Sequence, residues 1–82
     1  MNPETIRTLI IEAIQTVAPE MEASDINPDE DLREACDIDS MDFLNFIIAL
    51  KNSSGISTPE IDYPQVNTFN KMVEYLSHKQ TL

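Results

Sequence analysis

The feature that most constrains this chain is an apolar stripe held between two prolines. Ile6, Leu9, Ile10, Ala13, Ile14 and Val17 recur at helical spacing between Pro3 and Pro19. Residues three and four apart share one helix face, so this set forms a single stripe that has to be covered. Asn2 suits the capping position, with Pro3 at the first helical position, where a missing N–H costs nothing, and Glu4 in the first turn. Pro19 disfavours helical backbone at Ala18 and stops the helix there. No segment shows a convincing strand-like alternation, so the stripe must be covered by other helices.

Those helices are visible. A second is predicted from about Asp39 to Asn52, through "DSMDFLNFIIALKN", and Ser53-Ser54-Gly55 ends it with a glycine suited to left-handed backbone. A helical wheel puts Phe43, Leu44, Phe46, Ile47 and Leu50 on its core side. Asp42, Asn45, Ala49 and Asn52 lie opposite, and Met41 and Ile48 fall at the edge, partly exposed. Thr58-Pro59-Glu60 reads as the cap and first turn of a short helix that Tyr63-Pro64 cuts off after one or two turns. Thr68 or Asn67 caps a last helix with the stripe Phe69, Met72, Val73 and Leu76, and Val66 suits a staple at its start. Residues 20–38 keep no period. They read as a long connection with a turn at Asn27-Pro28-Asp29 and with Ile26 and Leu32 as anchors. At 82 residues the chain is expected to be one domain, 1–82, near the lower size at which a core holds unaided. The expected fold is all-α: a small four-helix bundle with three main helices, one short third helix and a long loop between helices 1 and 2.

Charge narrows the partners. Fifteen acids face five bases, and ten of the acids lie between Glu20 and Asp42, where Arg33 is the only base. Such a chain repels nucleic acid and anionic membrane surfaces and attracts proteins that present Lys or Arg. The apolar runs are too short to span a bilayer. The start lacks a basic region followed by an apolar run, so no secretory leader is expected. The one cysteine, Cys36, permits no intrachain disulfide and suits a reducing, cytoplasmic setting; its expected role is a buried spacer. Asp25, Asn27 and Asp29 open like a calcium loop, but Glu30 stands where glycine is needed and Cys36 where a bidentate Glu belongs. No dedicated metal site is expected.

Ser40 is the residue that composition does not explain. It sits in "DIDSMD", among acids, directly ahead of the apolar run. It is either the cap of the second helix or, if Asp39 caps with Asp42 as its capping-box partner, an outward hydroxyl at the first helical position. Nucleophilic catalysis needs a base, and the only histidine, His78, falls near the far end of the chain as a surface residue of the last turn. No Gly-x-Ser-x-Gly turn surrounds Ser40. The chain is not expected to be an enzyme.

The length, the helix order and "DIDSMDFLNFIIAL" together resemble the acyl carrier proteins over nearly the whole chain, with the hallmark at Asp39-Ser40-Met41-Asp42. The resemblance implies that Ser40 carries 4′-phosphopantetheine, added from coenzyme A by a phosphopantetheinyl transferase. The arm's thiol would hold an acyl group as a thioester for acyl-transferring or acyl-modifying enzymes with basic patches. It implies a helix N-terminus receptive to the phosphodiester, while the surrounding acids favour a mobile arm. It also implies docking through Asp39, Met41, Asp42 and Ile48. Phe43 stands where a smaller residue is common, either packing the core or lining an acyl cavity. Cys36, Asp37 and Ile38 fill the stretch where the family usually has glycine. Asn45, Lys51 and Asn52 replace glutamates usual in the fatty acid pathway, which argues against ready exchange with a general synthase. The expectation is a monomeric carrier for a specialised fatty acid or polyketide-type pathway. Peptidyl or D-alanyl carriers, and an acidic helical interaction module without a prosthetic group, are the alternatives.

Overall fold

Capping decides where the helices of this protein begin. In the computed structural model, which describes residues 2–80, Asn2 accepts a hydrogen bond from the Thr5 N–H at 2.8 Å and opens α1, Pro3–Val17. Asp31 opens a single turn, α2, Leu32–Ala35, by accepting from the Arg33 N–H at 2.9 Å. Asp39 opens α3, Ser40–Ser54, which Gly55 closes in the left-handed conformation at φ 75°. Thr68 accepts from the Lys71 N–H at 3.1 Å and opens α4, Phe69–Gln80. Two 3-10 segments, Ala23–Asp25 and Glu60–Gln65, complete the chain.

The three long helices bury one core. Ile6, Ile10, Ala13 and Ile14 of α1 meet Phe43, Phe46, Ile47 and Leu50 of α3, with Met72 and Leu76 of α4 closing the bundle. α1 packs chiefly on α3 and secondarily on α4. Each large side chain removed from water contributes on the order of 1.5–3 kcal/mol, and nine are fully buried among the described residues. The all-α bundle expected from the sequence is therefore present.

Four expectations need correction. Residues 20–38 are more ordered than a period-free loop: they contain the Ala23–Asp25 segment and α2. Their order comes from the other end of the chain, because the Leu32 N–H donates to the Asn67 carbonyl at 2.7 Å and the Asn70 N–H to the Pro28 carbonyl at 3.1 Å. The Asn70 side chain also donates to Asp29 at 2.9 Å. Such long-range ties leave no local pattern. The anticipated turn does form, with Asn27 accepting from the Asp29 N–H at 3.0 Å, and Ile26 and Leu32 are buried anchors.

Thr58 does not cap the short helix; its side chain is buried, and Pro59 holds the capping position without a side-chain bond. Pro64 lies within the 3-10 segment instead of ending it. A short 3-10 run has few internal bonds to lose, and here the Asp62 N–H to Pro59 and Val66 N–H to Tyr63 bonds hold its two ends. Leu44 is the fourth correction: it is 42 % exposed and not a core residue.

Candidate functional site at the start of α3

The backbone leading into α3 is a helix-terminating motif. The Ile38 N–H donates to the Arg33 carbonyl at 3.0 Å and the Asp37 N–H to the Glu34 carbonyl at 3.3 Å. This is the paired bonding of a Schellman motif, which closes α2 and reverses the chain into α3. Its pivot is Asp37, at φ 52°, the only left-handed non-glycine among the described residues. Asp tolerates that region better than most residues but still strains its Cβ. The acid fills a position whose backbone asks for glycine. Ile38 is half-buried and Cys36 is buried beneath the turn.

Asp39 takes the cap. Its carboxylate accepts from the Asp42 N–H at 2.9 Å. The return bond of a full capping box, from the Asp39 N–H to the Asp42 carboxylate, is not made. Ser40 is thereby released from capping: it is exposed, it occupies the first helical position, and its hydroxyl makes no hydrogen bond. The N–H groups of Ser40 and Met41 have no partner among the described residues either, as expected for a first helical turn. These donors, with the helix dipole, face whatever is attached to or approaches the serine. Among the described residues no base is bonded to Ser40. His78 lies in the last turn of α4, exposed and 3.8 Å from Glu74.

Beyond Ser40 the helix shows an apolar stripe to solvent. Met41 is 67 % exposed, Leu44 42 % and Ile48 48 %. Asn45, Lys51 and Asn52 are exposed beside it, while Asp42 is half-buried and Asp39 exposed at its serine end. Met41 and Ile48 are more exposed than the edge position the wheel gives them, Asp42 is half-buried where the wheel puts it opposite the core, and Leu44 joins the exposed set. A stricter wheel would have found it: at about 100° per residue Leu44 sits roughly 110° from the centre of the core set. Three exposed apolar residues in one stripe form a patch, unlike a single exposed side chain.

Phe43 points the other way. It is 6 % exposed, meets the Tyr63 ring edge-on with centroids 5.5 Å apart, and lies 5.7 Å from Phe46. The Arg33 guanidinium sits over its ring at 5.8 Å. Core packing is what Phe43 does, and beside it opens a cleft of about 260 Å³ lined by Asp31, Arg33, Phe43, Tyr63, Pro64 and Asn67. A larger groove, about 560 Å³, lies between the Glu60–Gln65 segment and α4, and none of its lining residues comes from α3 or the turn before Ser40. It is a separate feature.

The buried Cys36 thiol has its pKa raised by burial and, less, by the Glu30 charge. That keeps it neutral and poor as a nucleophile. Among the described residues no group of acids, histidines and cysteine could hold a metal ion, and no helix is long and apolar enough to cross a membrane.

The arrangement is an unengaged hydroxyl at a helix N-terminus, next to an apolar and acidic surface. It suits a serine that another protein modifies. A family model for a phosphopantetheine attachment site matches residues 4–76. An acyl carrier protein of Rubrobacter xylanophilus is 26 % identical over 78 residues, covering 92 % of this chain and 96 % of that protein. One from Acidothermus cellulolyticus is 24 % identical over 78 residues, covering 95 % and 92 % respectively. Members of this family are carriers and not catalysts, and their cofactor is covalent 4′-phosphopantetheine. The chain belongs to the phosphopantetheine-attachment family, the family of the acyl carrier proteins.

Proposed function

We propose that Ser40 is the residue that takes 4′-phosphopantetheine, and that the protein carries acyl groups between the enzymes of a specialised fatty acid or polyketide-type pathway. The observation that carries this reading is the division of labour at the start of α3. Asp39 caps the helix, so the Ser40 hydroxyl is exposed and unbonded. A serine without a base cannot activate itself, and an exposed one at a helix N-terminus is open to a phosphopantetheinyl transferase that brings its own catalytic groups. The residues present fit the cofactor's phosphodiester: the unpartnered N–H groups of the first turn favour an anion there. When attached, the group supplies a terminal thiol on a long arm, which holds an acyl group as a thioester.

Docking in this reading uses two kinds of contact. Asp39 and Asp42 attract basic patches on the transferase and on acyl-transferring or acyl-modifying enzymes. Met41, Leu44 and Ile48 fill an apolar socket. Aligned along α3 from Met41 to Asn52, this face is about 16 Å long. Its far end is neutral or positive at Asn45, Lys51 and Asn52. Rim charges set encounter rate and exclude wrong partners, so partners built for a uniformly acidic helix would meet this one slowly. That supports a dedicated pathway over a general synthase.

The test is incubation with coenzyme A, magnesium and a broad-specificity phosphopantetheinyl transferase, followed by intact-mass measurement of wild type and Ser40→Ala. A gain of one phosphopantetheinyl group in wild type only supports the reading. No gain with several transferases refutes it and returns the protein to an acidic interaction module.

A further inference from the structure

The groove of about 560 Å³ between the Glu60–Gln65 segment and α4 has no part in the carrier reading. Its charge sets it apart from the rest of the chain. Among the described residues α4 is the only helix with more lysine and arginine than acid: Lys71 and Lys79 stand against Glu74, in a chain of five bases and fifteen acids. Both lysines line the groove and both are exposed. The two acids in the lining have partners of their own. Asp62 accepts from the Tyr75 hydroxyl at 2.6 Å, and Glu74 lies 3.8 Å from His78. Lys71 and Lys79 make no ion pair among the described residues, and the Lys79 ammonium sits 5.4 Å from the centre of the Tyr75 ring. Tyr75 is four residues from each lysine. One therefore stands a turn before it and the other a turn after it, about 12 Å apart along the helix. Tyr75 and Pro64 give the lining its apolar surface.

We propose that this groove docks an amphipathic helix of a partner protein, one that presents two carboxylates about two turns apart with an apolar side chain between them. The carboxylates pair with Lys71 and Lys79, and the apolar side chain covers Tyr75 and Pro64. Two turns of helix span about 11 Å, which matches the separation of the lysines. A polyanion does not fit. Nucleic acid or an anionic membrane surface would meet the net charge of −10 as well as the two lysines. A run of acids would also face Asp62 and Glu74, so the lining selects two separated carboxylates over an acidic tract. A second copy of this chain is disfavoured for the same reason, since both copies carry the same large negative charge. For an isolated pair of carboxylates, acids elsewhere on the chain are screened beyond a Debye length of about 8 Å at physiological salt. Docking here requires no residue of α3 or of the turn before Ser40, because none of them lines the groove. The surface therefore stands apart from the attachment serine and does not depend on its modification.

The test is an amide NMR titration of the ¹⁵N-labelled full chain with a synthetic helical peptide. The peptide is built on alanine and glutamine, with two glutamates placed two turns apart and leucine midway between them. A control peptide carries lysine in place of both glutamates. Expected are shifts confined to residues 62–65 and 71–79, at least tenfold weaker binding of the control, and weaker binding of the glutamate peptide as salt is raised. The double variant Lys71→Glu/Lys79→Glu changes two exposed side chains, so its other amide signals should stay in place. It should lose at least tenfold in affinity for the glutamate peptide and gain affinity for the lysine peptide. No shifts at millimolar peptide, equal binding of the two peptides, or unchanged affinity in the double variant each overturns the proposal. The same amides shifting when the protein alone is concentrated would make a second copy the occupant and overturn it as well.

Discussion

Asp37→Gly is expected to make the protein more stable, although it deletes a residue two positions from the α3 cap. Asp37 holds φ 52° at the pivot of the turn between α2 and α3. An L-residue there carries about 1–2 kcal/mol of Cβ strain, the lower end applying to Asp. Glycine removes the strain but gains entropy in the unfolded chain, which offsets about 0.4–1 kcal/mol. Removing one charge from an acidic stretch whose only base is Arg33 adds a small favourable amount. The net is stabilisation of up to about 0.6 kcal/mol. Unfolding entropy is about 2.1 cal/mol/K per residue, so for 82 residues Tm should rise by up to roughly 3 °C. Calorimetry at neutral pH on wild type, Asp37→Gly, Asp37→Asn and Asp37→Ala separates the contributions. Asn removes the charge and keeps tolerance of left-handed backbone, so it should change Tm little. Ala keeps the strain and loses that tolerance, and should lower Tm by several degrees. Gly and Ala variants of equal Tm would refute the strain argument.

Three further outcomes follow from the same geometry. Cys36 should react with a neutral disulfide reagent far more slowly in the native protein than in urea, because burial and the Glu30 charge raise its pKa; equal rates would show the thiol to be accessible. Tyr75 donates to Asp62 at 2.6 Å, and its pKa is pushed up to about 12 by burial first and by Asp62 second. The raised value means that its stabilising contribution is complete below pH about 10 and is lost as pH rises through about 12. In a Tyr63→Phe background, ultraviolet titration should show that midpoint, and Asp62→Asn should lower it. Finally, Met41→Asp, Leu44→Asp and Ile48→Asp should each reduce kcat/KM for transferase loading by about tenfold or more, equal to about 1.4 kcal/mol or above, while Tm stays within a few degrees because all three are exposed.

What could be read from the sequence followed local rules. The stripes of α1 and α4 and the Gly55 stop depend on residues within a turn or two, whereas spacing left Asp39 and Ser40 as equal candidates for the α3 cap. The structure decides that pair for Asp39, which accepts from the Asp42 N–H. What was hidden depends on distance along the chain. Order in residues 20–38 comes from Asn67 and Asn70, some forty positions away, and no window that spans one helix sees it. The left-handed Asp37 was hidden because glycine would have announced the turn and an acid does not. Leu44 was legible in principle but misplaced, because α3 is apolar nearly all round and the boundary between core and surface falls within its side chains. The proposed site could be singled out in the sequence because its residues are consecutive. The cleft between Arg33, Phe43 and Asn67 joins three separate segments and had no sequence pattern of its own.

The central claim is that Ser40 is the attachment point, and site-resolved mass spectrometry of the transferase-treated protein tests it most directly. Fragmentation of the peptide spanning Asp37 to Phe43 should place one phosphopantetheinyl group between Asp39 and Met41, with none elsewhere. The same group found on Ser24, Ser53, Ser54, Ser57 or Ser77 instead, or an unmodified Ser40 after exhaustive treatment, would contradict the account.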